Sequence, residues 1–227
     1  MITLAVDTCL DACSVALFDA TGQGLLAGRH EPMSRGHAEA LLPQIDDVFT
    51  EAGFRPDALE QVIVTRGPGT FTGVRIGISA ARGLGIGTGV QIRALSSLRA
   101  IALCAIAADQ PVIPVAAVID ARRDELYAAV YSPEGQELRA PELVSVNSGA
   151  ACLPEGPVLL AGSGAAQLLG QYDRLQASAT PPLPDARIWG PIAARHPELL
   201  QDPVPLYLRQ PDAKPPSPDS QAKRVPE

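Results

Sequence analysis

Asp7 and Thr8 close the first apolar run of the chain, ITLAVDT, and a tight Cys-Leu-Asp-Ala turn follows them. A carboxylate at a strand end can hold Mg²⁺ or lie beside a phosphate, because hard cations take oxygen ligands. It can equally cap the turn by accepting backbone N–H groups, and turn chemistry by itself favours that role. The next candidate is the glycine-rich turn Arg66-Gly-Pro-Gly-Thr-Phe-Thr-Gly73. A Walker phosphate loop needs GxxxxGK followed by Ser or Thr, so that the Lys reaches the terminal phosphates. Val74 and Arg75 follow Gly73 instead. GLGIGTG at 83–89 also misses the GxGxxG register, so neither segment is expected to bind a nucleotide alone.

His30, His37 and His196 make no HxxxH or HExxH pair, and Cys9, Cys13, Cys104 and Cys152 include no CxxC. No metal site is therefore expected, and the cysteines read as buried thiols of a reducing compartment. No GxSxG elbow marks a nucleophile, although a triad assembled in space leaves no trace in spacing. Asp120-Ala-Arg-Arg-Asp124-Glu125 concentrates charge between two strands, as a solvated hairpin tip or a polar contact surface.

The elements that position these residues follow from hydrophobic period and turn signals. Strands are predicted over Ile2–Thr8, Cys13–Asp19 and Gly24–Glu31. A helix over His37–Ala52 follows, with Leu41, Leu42, Ile45, Val48, Phe49 and Ala52 on one face and Pro43 expected to kink or delay it. Gln61–Thr65 is a short buried strand, a second helix runs from an N-cap at Thr72 to about Gly85, and Val90–Ala94 and Ser96–Ala108 are the next strand and helix. A second β-rich unit begins at Val112, with strands ending at Asp120, over Glu125–Tyr131 and over Pro157–Ala161. Gly162-Ser-Gly164 then leads into a short helix. Helical turns near Trp189–Leu200 and the segment Pro205–Arg209 close the fold. The pattern predicts α/β with two related lobes, residues 1–110 and 111–209, and a disordered Pro-rich tail over 210–227.

In the second helix, Gly73, Gly77 and Ala81 recur every four residues as a stripe without bulk. Interior glycine costs about 0.8–1 kcal/mol against alanine, so Gly77 and Gly83 together cost roughly 2 kcal/mol that close packing must offset. Either a neighbour in the same lobe or a partner chain packs on the stripe, and a partner chain is the expectation here.

Composition narrows the function classes. The 227 residues are 46% hydrophobic and 19% charged, with a net charge of −7. Lys214 and Lys223 are the only lysines. A protein that grips phosphates by itself usually carries a basic stripe, so independent nucleic-acid binding is not expected. The N-terminus has no basic n-region, and Ala94–Ile119 is broken by Arg99, Asp109, Pro111 and Pro114, so a cytoplasmic protein without a membrane span is expected.

Five segments in this order carry a resemblance: AVDTCLDACSVAL at 5–17, SRGHAEALLP at 34–43, TRGPGTFTGVRIGISAARGLG at 65–85, ARRDELYAAVY at 121–131 and PLYLR at 205–209. Together they resemble the TsaB (YeaZ-like) family. That resemblance implies an actin-like fold of the sugar kinase/Hsp70 (ASKHA) type, two lobes with mixed sheets flanked by helices. It implies a non-catalytic subunit for threonylcarbamoyladenosine modification of tRNA beside the anticodon, scaffolding the catalytic paralogue TsaD alongside the P-loop ATPase TsaE. A homodimer is an alternative assembly, and tRNA is met only through the complex. The paralogue's His-x-x-x-His metal motif falls on Ser97 and Ile101 here, neither of which seats an ion well. The nucleotide cleft is implied to survive only as Asp7, Thr8, Gly162 and Gly164, with no cofactor of the chain's own and ATP at most at a subunit boundary. Leu41, Ile45, Val48 and Phe49, with Gly73, Gly77 and Ala81, are the expected docking surface. A small-molecule kinase or ATPase of the same fold, or a metalloprotease, is the rival class.

Overall fold

The computed structural model describes residues 1–22 and 24–209, and the tail expected over 210–227 lies outside them. The first sheet starts as a meander: β1 (Ile2–Asp7), β2 (Ala12–Asp19) and β3 (Gly24–Pro32), antiparallel to one another. Helix α1 (His37–Ala52) then crosses to β4 (Gln61–Thr65), and α2 (Phe71–Thr88) to β5 (Gln91–Leu95). Both later strands join in parallel, giving the order β3-β2-β1-β4-β5. The second sheet repeats the plan. β6 (Val115–Arg122), β7 (Glu125–Tyr131) and β8 (Glu137–Ser145) form the meander, and β9 (Val158–Ala161) and β10 (Leu175–Ala177) add in parallel on the other side of β6. Its order, β10-β9-β6-β7-β8, is the first sheet's order with the matching strands exchanged one for one.

Helix α3 (Ser97–Asp109) lies between the sheets and is apolar nearly all round, as a helix without a solvent face must be. Ala100, Leu103 and Cys104 pack with Ala5, Phe18 and Ile63 of the first sheet, while Ile101, Ala102 and Ala105 share a core with Ala117, Ile119 and Tyr131 of the second. The short helices α4 (Val146–Gly149) and α5 (Ala165–Leu168) cover the far face of the second sheet.

The sequence boundary at 111–209 needs correction at its end. Helix α6 (Ala186–Arg195) returns to the first sheet, where Ala186, Trp189 and Ala193 are fully buried beside Ala16 and Phe18 and the Ala186 N–H donates to Ser14 Oγ at 2.9 Å. Residues 201–209 then run as a strap. Leu206 N–H donates to the Arg66 carbonyl, and Arg209 reaches the β6–β7 hairpin at the Ala121 carbonyl and the Glu125 carboxylate.

Three further differences have local causes. Pro43 does not interrupt α1, because it stands on the exposed side, where the carbonyl it leaves unbonded faces water. The N-cap of α2 is Thr70, whose hydroxyl accepts the Gly73 N–H at 3.1 Å, rather than Thr72. β8 and β10 have no apolar alternation to betray them: β8 is a largely exposed edge strand carrying Pro141, and β10 has three residues.

Candidate functional site

β1 ends in the interior. The Asp7 carboxylate is fully buried, and its Oδ1 accepts from the Cys9 N–H at 3.0 Å and from Thr65 Oγ1. Oδ2 has no partner. Burial pushes the carboxyl above the ordinary aspartate range, against the lowering pull of those two bonds. Asp7 thus caps the turn it precedes, and it is not open to a phosphate or a cation. Thr8 is buried too, and its Oγ1 donates to the Gly73 carbonyl at 2.7 Å.

That bond fixes what the small-residue stripe is for. A Cβ on Gly73 would run into the Thr8 carbonyl oxygen, and one on Gly77 would stand 2.8 Å from Thr8 Oγ1 and 3.3 Å from Val64 Cγ2. Ala81 has no exposed surface. The close neighbour of the stripe is therefore β1 and β4 of the same lobe, not a partner chain. The expected docking surface is corrected with it. Leu41, Ile45, Val48 and Phe49 pack in the same core as Val74, Ile78 and Ala81 and are closed to any partner. The outward faces of the two helices hold other side chains. Leu42 is 60% exposed, Phe71 48% and Ile86 89%, and the Arg75 guanidinium lies 3.6 Å over the Phe71 ring while donating to the Tyr207 hydroxyl. The outward side of α1 carries Glu39, Asp46, Asp47 and Glu51, whereas residues 61–108 contain five arginines and no Asp or Glu.

Between the lobes is a cavity of about 260 Å³, lined by Leu10, Asp11, Thr70, Asp120, Ser163 and Arg209 among others. The predicted cleft residues do not line it. Asp7 and Thr8 are sealed behind the β1–β2 turn. Gly162, at φ +103°, lies so close to β6 that a Cβ would strike the Val118 carbonyl, and a Cβ on Gly164 would sit 2.8 Å from Leu126 Cδ2. These glycines serve packing, while their neighbours Leu10, Asp11 and Ser163 face the space. At about 260 Å³ the cavity falls just short of the ~300–1,000 Å³ common for small-molecule sites, so it does not enclose a whole nucleotide. Sequence reasoning missed Thr70 and Arg209 as cleft residues. Their signal was chain order alone, one at a helix start and one at the end of the strap.

Ser97 and Ile101 lie one turn apart on buried α3. Ser97 Oγ has no partner, and the Ile101 side chain carries no donor atom. The donor set does not fit a two-histidine metal site. Cys9, Cys13 and Cys104 are buried free thiols, each pushed up to about 12 chiefly by burial, and so poor nucleophiles at neutral pH.

Two repeated sheets of this topology, packed through one helix and facing a shared cleft, make an actin-like fold of the ASKHA type. A solved ROK hexokinase from Thermus thermophilus superposes with a TM-score of 0.50 at 16% identity, over 88% of this chain and 99% of that one. The nearer likenesses are more particular. Residues 31–168 match the family model described as "TsaD: tRNA N6-adenosine threonylcarbamoyltransferase". The solved structure of YeaZ from Pseudomonas aeruginosa aligns with a TM-score of 0.76 and 31% identity, over 91% of this chain and 99% of that one. The tRNA threonylcarbamoyladenosine biosynthesis protein TsaB of Escherichia coli is 37% identical over 63% of this chain. That alignment spans 64% of the Escherichia coli protein's length. The chain belongs to the TsaB (YeaZ) family, within the group that the TsaD model describes.

Proposed function

We propose that the chain is a non-catalytic subunit of the cytoplasmic machinery that makes threonylcarbamoyladenosine in tRNA, acting by docking onto the catalytic paralogue TsaD. The observation that carries this is the donor set on α3. Where the resemblance places the paralogue's two histidines, this chain has a buried serine and a buried isoleucine, and no activating ion can be held by that pair. The short interlobe cavity agrees, since it offers no enclosed seat for a nucleotide. ATP, if used, belongs at a subunit boundary where another chain completes the cleft.

The docking surface in this proposal is the outward side of α1 and α2, built on Leu42, Phe71, Arg75 and Ile86. Large exposed apolar groups beside arginine are the usual anchors of an interface. The acidic face of α1 beside the arginines of α2 suits a partner built on the same plan, TsaD or a second copy, because a two-fold pairing sets opposite charges against one another. TsaE joins the assembly, and tRNA is held by the complex rather than by this acidic chain. Among the described residues no helix is long and apolar enough to cross a membrane, which suits a cytoplasmic complex.

The test is reconstitution. The chain alone should transfer no threonylcarbamoyl group to tRNA, whereas adding it to TsaD, TsaE, ATP, threonylcarbamoyl adenylate and tRNA should restore modification. Turnover by the chain alone, surviving chelation, would refute the non-catalytic role.

A further inference from the structure

A second cavity, of about 250 Å³, opens beside the N-terminus of α3, away from the interlobe cleft. Its wall includes Arg66, Ser96, Arg99, Glu137, Gln201 and Leu206. The two guanidiniums differ in how their charge is met. Arg99 is 7% exposed, and its Nη2 pairs with Glu137 Oε2 at 3.1 Å. Its Nη1 donates to the Gly135 carbonyl at 3.3 Å, and its plane lies 5.1 Å from the Tyr131 ring centroid. Its charge is answered. Arg66 has only neutral acceptors, the Val204 carbonyl at 3.1 Å and the Gln201 side-chain oxygen. Its Nε–H is buried without a partner, and it makes no ion pair among the described residues. Partial burial of the side chain lowers its pKa, with Glu137 as a weaker opposing influence.

Two cations and one carboxylate leave the wall with a net positive charge, and the geometry is that of an anion seat. Ser96 caps α3, its Oγ accepting the Arg99 N–H at 3.1 Å, so the positive end of a 13-residue helix adds to the field. The room is enough for several waters, yet water brings no counter-charge. We propose that this cavity binds a small oxyanion, a phosphate or a carboxylate, that supplies the missing counter-ion of Arg66. A guanidinium fork recognises both groups in the same way, through parallel charge-assisted N–H···O bonds. The site belongs to this chain alone and does not depend on its docking to TsaD.

The experiment titrates the full chain with inorganic phosphate and, separately, with acetate, at ionic strength held constant with NaCl, following binding by calorimetry. One saturable site is expected for at least one of the two probes, and the probe that binds identifies the group. Arg66→Gln should weaken it about tenfold or more, the usual loss for a hydrogen bond to a charged group. Glu137→Gln, by releasing the Arg99 fork, should strengthen it several-fold. No saturable heat for either probe overturns the proposal, and so does binding that Arg66→Gln leaves unchanged. Should Arg66→Gln fail to fold, Glu137→Gln decides alone: weaker or unaltered binding would be the contradicting result.

Discussion

The two faces of α2 are made from opposite materials. The inner face is Gly73, Gly77 and Ala81, reduced until the helix backbone meets Thr8 and β4. The outer face is Phe71, Arg75, Arg82 and Ile86, large and exposed. Small residues mark where a backbone must come close, and here the approaching backbone is the chain's own. Large exposed residues mark where something else can settle. A stripe of glycine is thus poor evidence of a partner, and the surface one turn away is better evidence.

The largest effect is expected on the inner face. Gly73→Ala puts a methyl group into the Thr8 carbonyl, a backbone atom that cannot step aside, and should cost about 3 kcal/mol. For a chain of this length that lowers the melting temperature by roughly 6–12 °C, readable by circular dichroism. Gly77→Leu should also destabilise the isolated chain, by ~1–3 kcal/mol, because Thr8 Oγ1 is held by its bond to Gly73. An unchanged melting temperature in either variant would return the stripe to the surface.

Next comes Asp7. Its folded pKa lies above its unfolded value, so its contribution is most favourable below the ordinary aspartate range and is lost as pH rises through the raised folded value. The chain should therefore be less stable at pH 8 than at pH 5 on account of this group. Asp7→Asn keeps the Oδ1 acceptor and removes the buried charge, and it should flatten that slope and raise stability at pH 8. Melting curves from pH 5 to 8 check this, and parallel slopes for the two proteins would count against a buried, charge-averse carboxylate.

What the sequence made legible divides along the same line. Strong periodicity gave α1 at its observed ends, and Gly53 after Ala52 supplied the left-handed cap at φ 71°. Turn signals gave the first meander, and the second lobe was visible as an echo of the first. The apolar face Leu41, Ile45, Val48 and Phe49 was also visible, but an amphipathic stripe says only that something covers it. Here the cover is the first sheet. Asp7 shows the same limit: its position at a strand end was readable, whereas its burial beside Thr65 required β4 to be brought against β1 from a distant part of the chain. The cleft residues Asp11, Ser163 and Arg209 meet only through the β1–β2 turn, the β9–α5 turn and the strap, which no local pattern joins.

Ionic strength should have a smaller effect. If the acidic side of α1 and the arginines of α2 meet opposite charges, association with TsaD should weaken between 50 and 500 mM NaCl, mainly through a slower association rate. Surface plasmon resonance separates the two rate constants, and a salt-independent on-rate would leave the apolar anchors alone responsible.

The smallest change in stability and the sharpest test come together on the outer face. Leu42→Asp combined with Phe71→Asp alters two exposed side chains and should leave the melting temperature within about 2–4 °C of the parent, since surface substitutions usually stay within ~0.5 kcal/mol each. Gel filtration with light scattering then compares the parent and the variant in the presence of TsaD. The account predicts a complex for the parent and two separate peaks for the variant. A variant that stays folded and still co-elutes with TsaD at parental affinity would contradict the claim that this face is where the chain docks.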